Sequence, residues 1–153
     1  MDKHVRVKLH EDKSLLLKRK DIVGVLKKIK KKGLPHTTPI QCIYQKGDDS
    51  LLLSIHKEHT GYKNMVWQKK VMINIMGPGN VCYSILGRAG VVRAPSLVHP
   101  LMNIVRIDVI DIKSDRSILV RIEDGVKWSY TSNESAELLQ YLFKELEDLA
   151  RTL

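Results

Sequence analysis

The chain has 153 residues, of which 43% are apolar and 28% charged, enough for one globular domain with a buried core. It contains no apolar run long enough to cross a bilayer, and its charged N-terminus lacks an apolar signal segment. We therefore expect no transmembrane helix and predict a cytoplasmic protein. Cys42 and Cys82 lie in apolar stretches without CxxC spacing, which is typical of free buried thiols.

The net charge of +9 is concentrated near the N-terminus, with seven lysines and one arginine between Lys18 and Lys32. The same stretch is amphipathic, with Asp21 placed as N-cap and Gly33 placed just past the end, so it predicts a helix over about 15–32. A solvated helix face is the favoured interpretation, and an anionic partner is the alternative. Nucleic acid is less favoured because single-strand binders place stacking aromatics beside the charge.

Period-two alternation begins after this helix. Residues Thr38–Tyr44 predict one strand, Gly47-Asp48-Asp49 predicts a turn, and Leu51–His56 predicts the returning strand of a hairpin. Pro39 has no N–H to donate, so it belongs at a sheet edge or a bulge. An edge there would leave neighbouring backbone groups free for a ligand.

The remaining elements follow at short intervals. Tyr62–Lys70 predicts one or two helical turns. Further strands are predicted at Val71–Met76, Val81–Leu86, Ile104–Ile112, Ile118–Glu123 and Val126–Tyr130, the last two joined by a turn at Asp124-Gly125. Thr131 and Glu134 have capping-box spacing before a closing helix, about 133–151, with Leu139, Leu142, Leu146 and Leu149 on one face.

These elements predict a mainly β (α+β) fold formed by a single domain over residues 1–153. Hairpin-length turns separate most strands, so the sheet should be antiparallel. Closure into a barrel is the usual way to remove exposed strand edges. The predicted fold is therefore an antiparallel split β-barrel of six to seven strands, about 35–130, with flanking helices.

Polar side chains cluster at both ends of the predicted hairpin, at His36-Thr37-Thr38 and at Ser54 to Thr60. Hydroxyls, imidazoles and lysines at a helix N-terminus can hold a phosphate. His56 and His59 flank Glu58, but the order is not HExxH and no metal site is predicted. The chain also has no GxSxG, GxGxxG or Walker motif, which sets aside hydrolase, Rossmann and P-loop sites.

Four segments follow one another between about Lys18 and Lys113: GLPHTTPI, LLLSIHKEHTGYKNM, KKVMINI and SILGRAGVV. Their order and spacing resemble the pyridoxamine-5′-phosphate-oxidase-like family of FMN-binding split β-barrels. The resemblance implies an FMN cofactor and a homodimer with two cofactor sites at the subunit interface. Trp67 or Trp128 could then reach the partner's flavin, although core packing is the favoured interpretation of both.

The resemblance also implies site residues. His36, Thr37, Thr38, Pro39 and Ile40 would line the flavin ring, mainly through backbone groups. Ser54, Ile55 and His56 would lie beneath the ring and the ribityl chain, and His59, Thr60, Lys63 and Asn64 would sit near the phosphate. Many family members have Arg-Lys or a lysine where this chain has Thr60-Gly61. The phosphate charge would then be met by Lys57, His59, Lys63 or Arg88.

The sequence favours an FMN-dependent oxidoreductase whose small-molecule substrate it does not identify, with no side chain assigned as acid or base. Deazaflavin and haem are the alternative cofactors, because relatives with this fold use them. The alternative functions are a non-enzymatic flavin or haem carrier, or a basic domain that binds nucleic acid. No membrane partner is predicted.

Overall fold

The computed structural model describes residues 24–29 and 35–153. Seven strands and two helices are present in this part of the chain. The strands are β1 (Gly24–Ile29), β2 (Pro35–Ile40), β3 (Ile43–Lys46), β4 (Ser50–His56), β5 (Lys70–Gly77), β6 (Val81–Arg93) and β7 (Met102–Ser114), and the helices are α1 (Thr60–Gln68) and α2 (Asn133–Thr152).

The strands form one antiparallel sheet in the order β2-β1-β5-β6-β7-β4-β3. The two outermost strands, β2 and β3, are consecutive in the chain and are linked only by Gln41 and Cys42. A link of this length spans at most about 11 Å, so the sheet must curl until its two edges nearly meet. The predicted mainly β, antiparallel split barrel with flanking helices is confirmed.

The N-terminal helix prediction is wrong where the structure can be compared with it. Gly24–Ile29 is a strand that pairs with β2 on one side and with β5 on the other. The rest of the predicted helix lies outside the described residues. Backbone pairing on two sides outweighs the local helical spacing of the apolar side chains.

The strand predicted over Thr38–Tyr44 is in fact two strands at opposite edges of the sheet. Alternation fails at the link, because Ile40 and Ile43 both enter the barrel core although they are three residues apart. Cys42 turns the other way and packs beneath α2. Burial raises the pKa of its thiol to about 12, so it is an inert packing group, as predicted.

Two apolar clusters pack against the sheet, one on each of its faces. The barrel interior holds side chains from the strands and α1, among them Leu51, Ile73, Ile85 and Ile107. The second cluster lies between the outer face of the sheet and α2, where Leu142, Leu146 and Leu149 form the predicted stripe. The N-cap of α2 is Ser132 rather than Thr131, since the Ser132 hydroxyl accepts a 3.0 Å bond from the N–H of Ser135.

The strands predicted at Ile118–Glu123 and Val126–Tyr130 are wrong, because both stretches are irregular in this chain. The segment from Asp115 to Ile122 is nevertheless held at both ends. Asp115 donates its N–H to Cys82 and accepts a 2.5 Å bond from the Ser84 hydroxyl, which lowers the pKa of its carboxyl. At the other end, Ile122 exchanges two 3.0 Å bonds with Asn80.

Within residues 24–29 and 35–153, neither helix is long and apolar enough to cross a bilayer. The cytoplasmic location stays a prediction.

Candidate functional site

The imidazole of His59 links the end of β2 to the N-terminus of α1. His59 is the N-cap of α1, and its Nδ1 accepts a 3.0 Å bond from the N–H of Gly61. Its Nε2 lies 3.1 Å from the Oγ1 of Thr38. Because Nδ1 accepts an N–H, the ring hydrogen sits on Nε2 and is donated to Thr38. We call Thr38, His59, Thr60 and Gly61 the α1 corner.

The two polar clusters found in the sequence are therefore brought together, but not by a hairpin. β2 does not pair with β4, and the contact arises because the sheet curls. The corner joins the edge strand β2 to the turn that follows β4. Pro39 lies on this edge strand, as its missing N–H predicted.

The predicted ring-lining residues divide between the two faces of β2. Thr38 and Ile40 are buried, with Ile40 in the barrel core. Thr37 and Pro39 are exposed on the opposite face, and His36 is half-buried. The side chains of this strand therefore do not form one surface, and only the exposed face can meet a ligand outside the barrel.

The predicted residues of β4 point away from each other. Ile55 is in the barrel core, whereas Ser54 faces the second cluster, opposite Ile104 on β7. Ser54 is 5% exposed, and its hydroxyl has no hydrogen-bond partner among the described residues. His56 ends β4, and its Nδ1 accepts the N–H of Glu58 at 3.2 Å.

The positive charge near the α1 corner comes from lysines that flank it. Lys63 Nζ bonds the Glu58 carboxylate at 2.8 Å, and this pairing lowers the pKa of Glu58. Lys57 is half-buried in the turn, where its N–H bonds the carbonyl of Leu101. Thr60 is exposed at the first position of α1, and the first turn of the helix contains no acidic side chain.

Arg88, considered from the sequence as a phosphate ligand, lies elsewhere. It sits opposite Lys70 on β5, beside the C-terminal end of α1. The helix has nine residues and is about 13 Å long, so Arg88 and Thr60 lie at opposite ends of it. Asn64 lies within α1, where its Nδ2 is buried without a partner among the described residues.

A cleft beside the β2–β3 link was not predicted. Its volume is about 370 Å³, and its walls include Gln41, Trp128, Tyr130 and Leu139. The rings of Trp128 and Tyr130 pack edge to face at 5.2 Å. Their alternate spacing predicts a strand, and a strand there gives no sign of the cleft. Trp67, for which core packing was favoured, is half exposed on α1.

In the part of the chain that the structure describes, no three His, Cys, Asp or Glu side chains gather as metal ligands do. Both nitrogens of His59 are already bonded within the protein.

No family model and no curated protein sequence matches the chain. Solved structures do match. A candidate pyridoxamine 5′-phosphate oxidase from Lactobacillus delbrueckii has a TM-score of 0.59 at 16% identity, covering 70% of this chain and 94% of that one. An F420 reductase has a TM-score of 0.56 at 16% identity, covering 65% and 94%.

The flavin reductase of styrene monooxygenase from Pseudomonas putida S12 has a TM-score of 0.52 at 6% identity, covering 67% of this chain and 87% of that one. Identities this low establish a shared fold rather than a shared activity. The resemblance seen in the sequence motifs is confirmed at that level. The chain has the split-barrel fold of the pyridoxamine 5′-phosphate-oxidase-like proteins.

Proposed function

We propose that the protein binds FMN at the α1 corner and acts as a flavin-dependent oxidoreductase. The observation that carries the proposal is the contact of His59 with Thr38 and Gly61, which joins β2 to the start of α1. The same fold is found in an F420 reductase and a flavin reductase, which supports a flavin-type cofactor.

The groups at the α1 corner fit a phosphate. Thr60 offers an exposed hydroxyl at a helix N-terminus, where the helix dipole favours an anion. Lys57 and Lys63 are close in sequence, and Lys63 would exchange the exposed Glu58 carboxylate for the phosphate. His59 would support the corner rather than bind the ligand, because both of its ring nitrogens are engaged.

The exposed face of β2, with Thr37 and Pro39, would lie beside the flavin ring. FMN supplies hydride or single-electron transfer when bound. The residues of this chain would bind the phosphate, orient the ring against an edge strand and shield one side of it from water.

Replacing Thr60 by glutamate should weaken FMN binding without weakening the fold. A carboxylate at the first position of α1 repels the phosphate, yet it interacts favourably with the helix dipole. We expect the Kd for FMN, measured by quenching of flavin fluorescence, to rise about tenfold or more relative to Thr60→Gln, which has the same size without the charge.

Riboflavin, which lacks the phosphate, provides the matched control. Its Kd should be the same for Thr60→Glu and Thr60→Gln. Wild-type protein that is colourless when purified and does not quench added FMN would contradict the proposal.

We further propose that the protein is a homodimer. Ile118, Leu119 and Val120 are 99%, 87% and 67% exposed, and they form a continuous apolar stretch in a segment held at both ends. Exposed apolar patches mark sites of interaction with other proteins, membranes or ligands. The resemblance of the sequence motifs favours a second copy of this chain as the partner, with the cofactor at the interface.

Leu119→Asp should convert the dimer to a monomer, because a carboxylate buried in an apolar interface has no partner. Size-exclusion chromatography with light scattering would measure the mass. Leu97→Asp places the same charge at another highly exposed leucine and should leave the mass unchanged. A monomeric wild-type protein, or dimers in both variants, would contradict this assignment.

A further inference from the structure

A cleft of about 430 Å³ lies at the opposite end of α1 from the α1 corner. Such a volume is within the range of roughly 300–1,000 Å³ found for small-molecule sites. Its apolar lining comes from α1, β6 and β7, and its polar lining from three charged side chains. The lining residues are Met65, Val66, Lys69, Arg88, Ala89, Gly90, Val91, Val105 and Asp108.

Two cations, Lys69 and Arg88, line this cleft, and a third, Lys70, lies beside it. Lys69 ends α1 in the left-handed region, with φ of 62°, where glycine is usual. Lys70, the next residue, lies outside the cleft wall but directly opposite Arg88 on the neighbouring strand, and Arg88 in turn lies opposite Asp108 on β7. Like charges in directly opposed positions of an antiparallel pair are destabilising. The C-terminus of a helix favours a cation such as Lys69, but it does not account for the pairing of Lys70 with Arg88.

These cations have no ion-pair partner among the described residues. The carboxylate in the cleft wall, Asp108, instead binds Nε of Arg106 at 2.7 Å. Beside the cleft, the backbone of β6 is also unpaired on its β5 side among the described residues. The N–H of Ala89 bonds the carbonyl of Lys69, and beyond this bond β6 continues past the end of β5. A Cβ added to Gly90 would meet no atom within 4 Å.

We propose that this cleft binds a small organic anion with an apolar body. The anionic group would lie between Lys69 and Arg88, and the body would cover Val66 and Val91, which are half exposed. Binding would give Lys69 and Arg88 an anionic partner and remove apolar side chains from water. The site is separate from the flavin corner, since α1 lies between them.

The pair 2-naphthoate and 2-naphthalenemethanol tests the proposal, because the two probes share a ring system and differ in charge. Two-dimensional ¹H–¹⁵N NMR of the full chain should show saturable shifts of the Gly90 and Val91 amides with naphthoate. Arg88→Gln should weaken naphthoate binding about tenfold and leave binding of the alcohol unchanged. Lys127→Gln removes an exposed lysine that pairs with Asp124 and should have no effect.

Two further measurements separate this site from the flavin proposal. Thr60→Glu should leave naphthoate binding unchanged, and Lys69→Gln should weaken it whether or not the protein binds FMN. Equal affinity for acid and alcohol, or an equal loss in Lys127→Gln, would overturn the assignment of an anion site.

Discussion

Glu145→Ala is expected to lower the free energy of unfolding by about 3–5 kcal/mol, because it removes one partner of a buried, charged network. The side chain of Glu145 is 5% exposed, although it lies on a helix among charged neighbours. Its Oε1 accepts bonds from Arg93 at 3.1 Å and from the N–H of Leu97 at 2.7 Å, and its Oε2 accepts the hydroxyl of Ser96.

This carboxylate attaches the β6–β7 loop to α2. The hydroxyl of Ser96, which donates to Glu145, also accepts the N–H groups of Val98 at 3.0 Å and His99 at 3.3 Å. Loss of the carboxylate therefore leaves Arg93 without its ion pair and removes the group that orients Ser96. The energy of several bonds is lost together, as in other polar networks.

Urea denaturation followed by circular dichroism would measure the effect. Glu147→Ala is the matched control, because Glu147 lies on the same helix but pairs with Arg151 at 3.5 Å near the surface. We expect the control to lose less than about 0.5 kcal/mol. Similar losses in the two variants would show that the bonds of Glu145 add no more stability than those of a surface glutamate on the same helix.

Gly87→Ala should destabilise the protein by about 3 kcal/mol, near the upper end for one methyl forced into a packed core. A Cβ at this position would overlap the Cγ2 of Ile107 and lie 3.0 Å from the carbonyl oxygen of Asp108. Cγ2 is attached to the β carbon and cannot rotate away freely, and the carbonyl belongs to the paired strand.

Gly90→Ala, three residues further along the same strand, is the control for Gly87→Ala. It meets no atom within 4 Å, so thermal unfolding should show little change or a slight gain. Ile107→Leu removes Cγ2 with no change in volume and should partly rescue Gly87→Ala. Equal melting temperatures for the two alanine variants would contradict this account of the close approach.

The sequence predicted those elements whose signals are local. The β3–β4 hairpin with its turn at Gly47-Asp48-Asp49, the strands β5 and β6, and helix α2 all occur close to their expected positions. The residue types of a turn and the spacing of apolar side chains depend on neighbouring residues only, so both can be read from a single sequence.

The errors fall where distant pairing decides the structure. Gly24–Ile29 has apolar spacing that suits a helix, but it is a strand because β2 and β5 pair with it. Conversely, Ile118–Glu123 has the apolar side chains of a strand, but it pairs with no strand among the described residues. Local propensity predicts neither outcome, because a strand forms only where another strand satisfies its backbone hydrogen bonds.

The candidate site was predicted in part. The sequence showed two polar clusters around Thr38 and His59, and the structure brings these two residues into contact. It did not show that Ser54 and Ile55 face different cores or that His59 caps α1. Those facts depend on the curvature of the sheet and on the exact start of the helix, which residue types alone do not specify.

The link through Gln41 and Cys42 has a consequence for how the molecule assembles. Closure of the sheet there depends on the pairing of β1 with β5 and of β4 with β7, which join residues far apart in the chain. Such pairings form slowly because a long loop must be ordered first. Thr38 and His59 lie on opposite sides of this closure, so the α1 corner is complete only when the sheet is closed. We expect ligand uptake there to require the fully paired sheet.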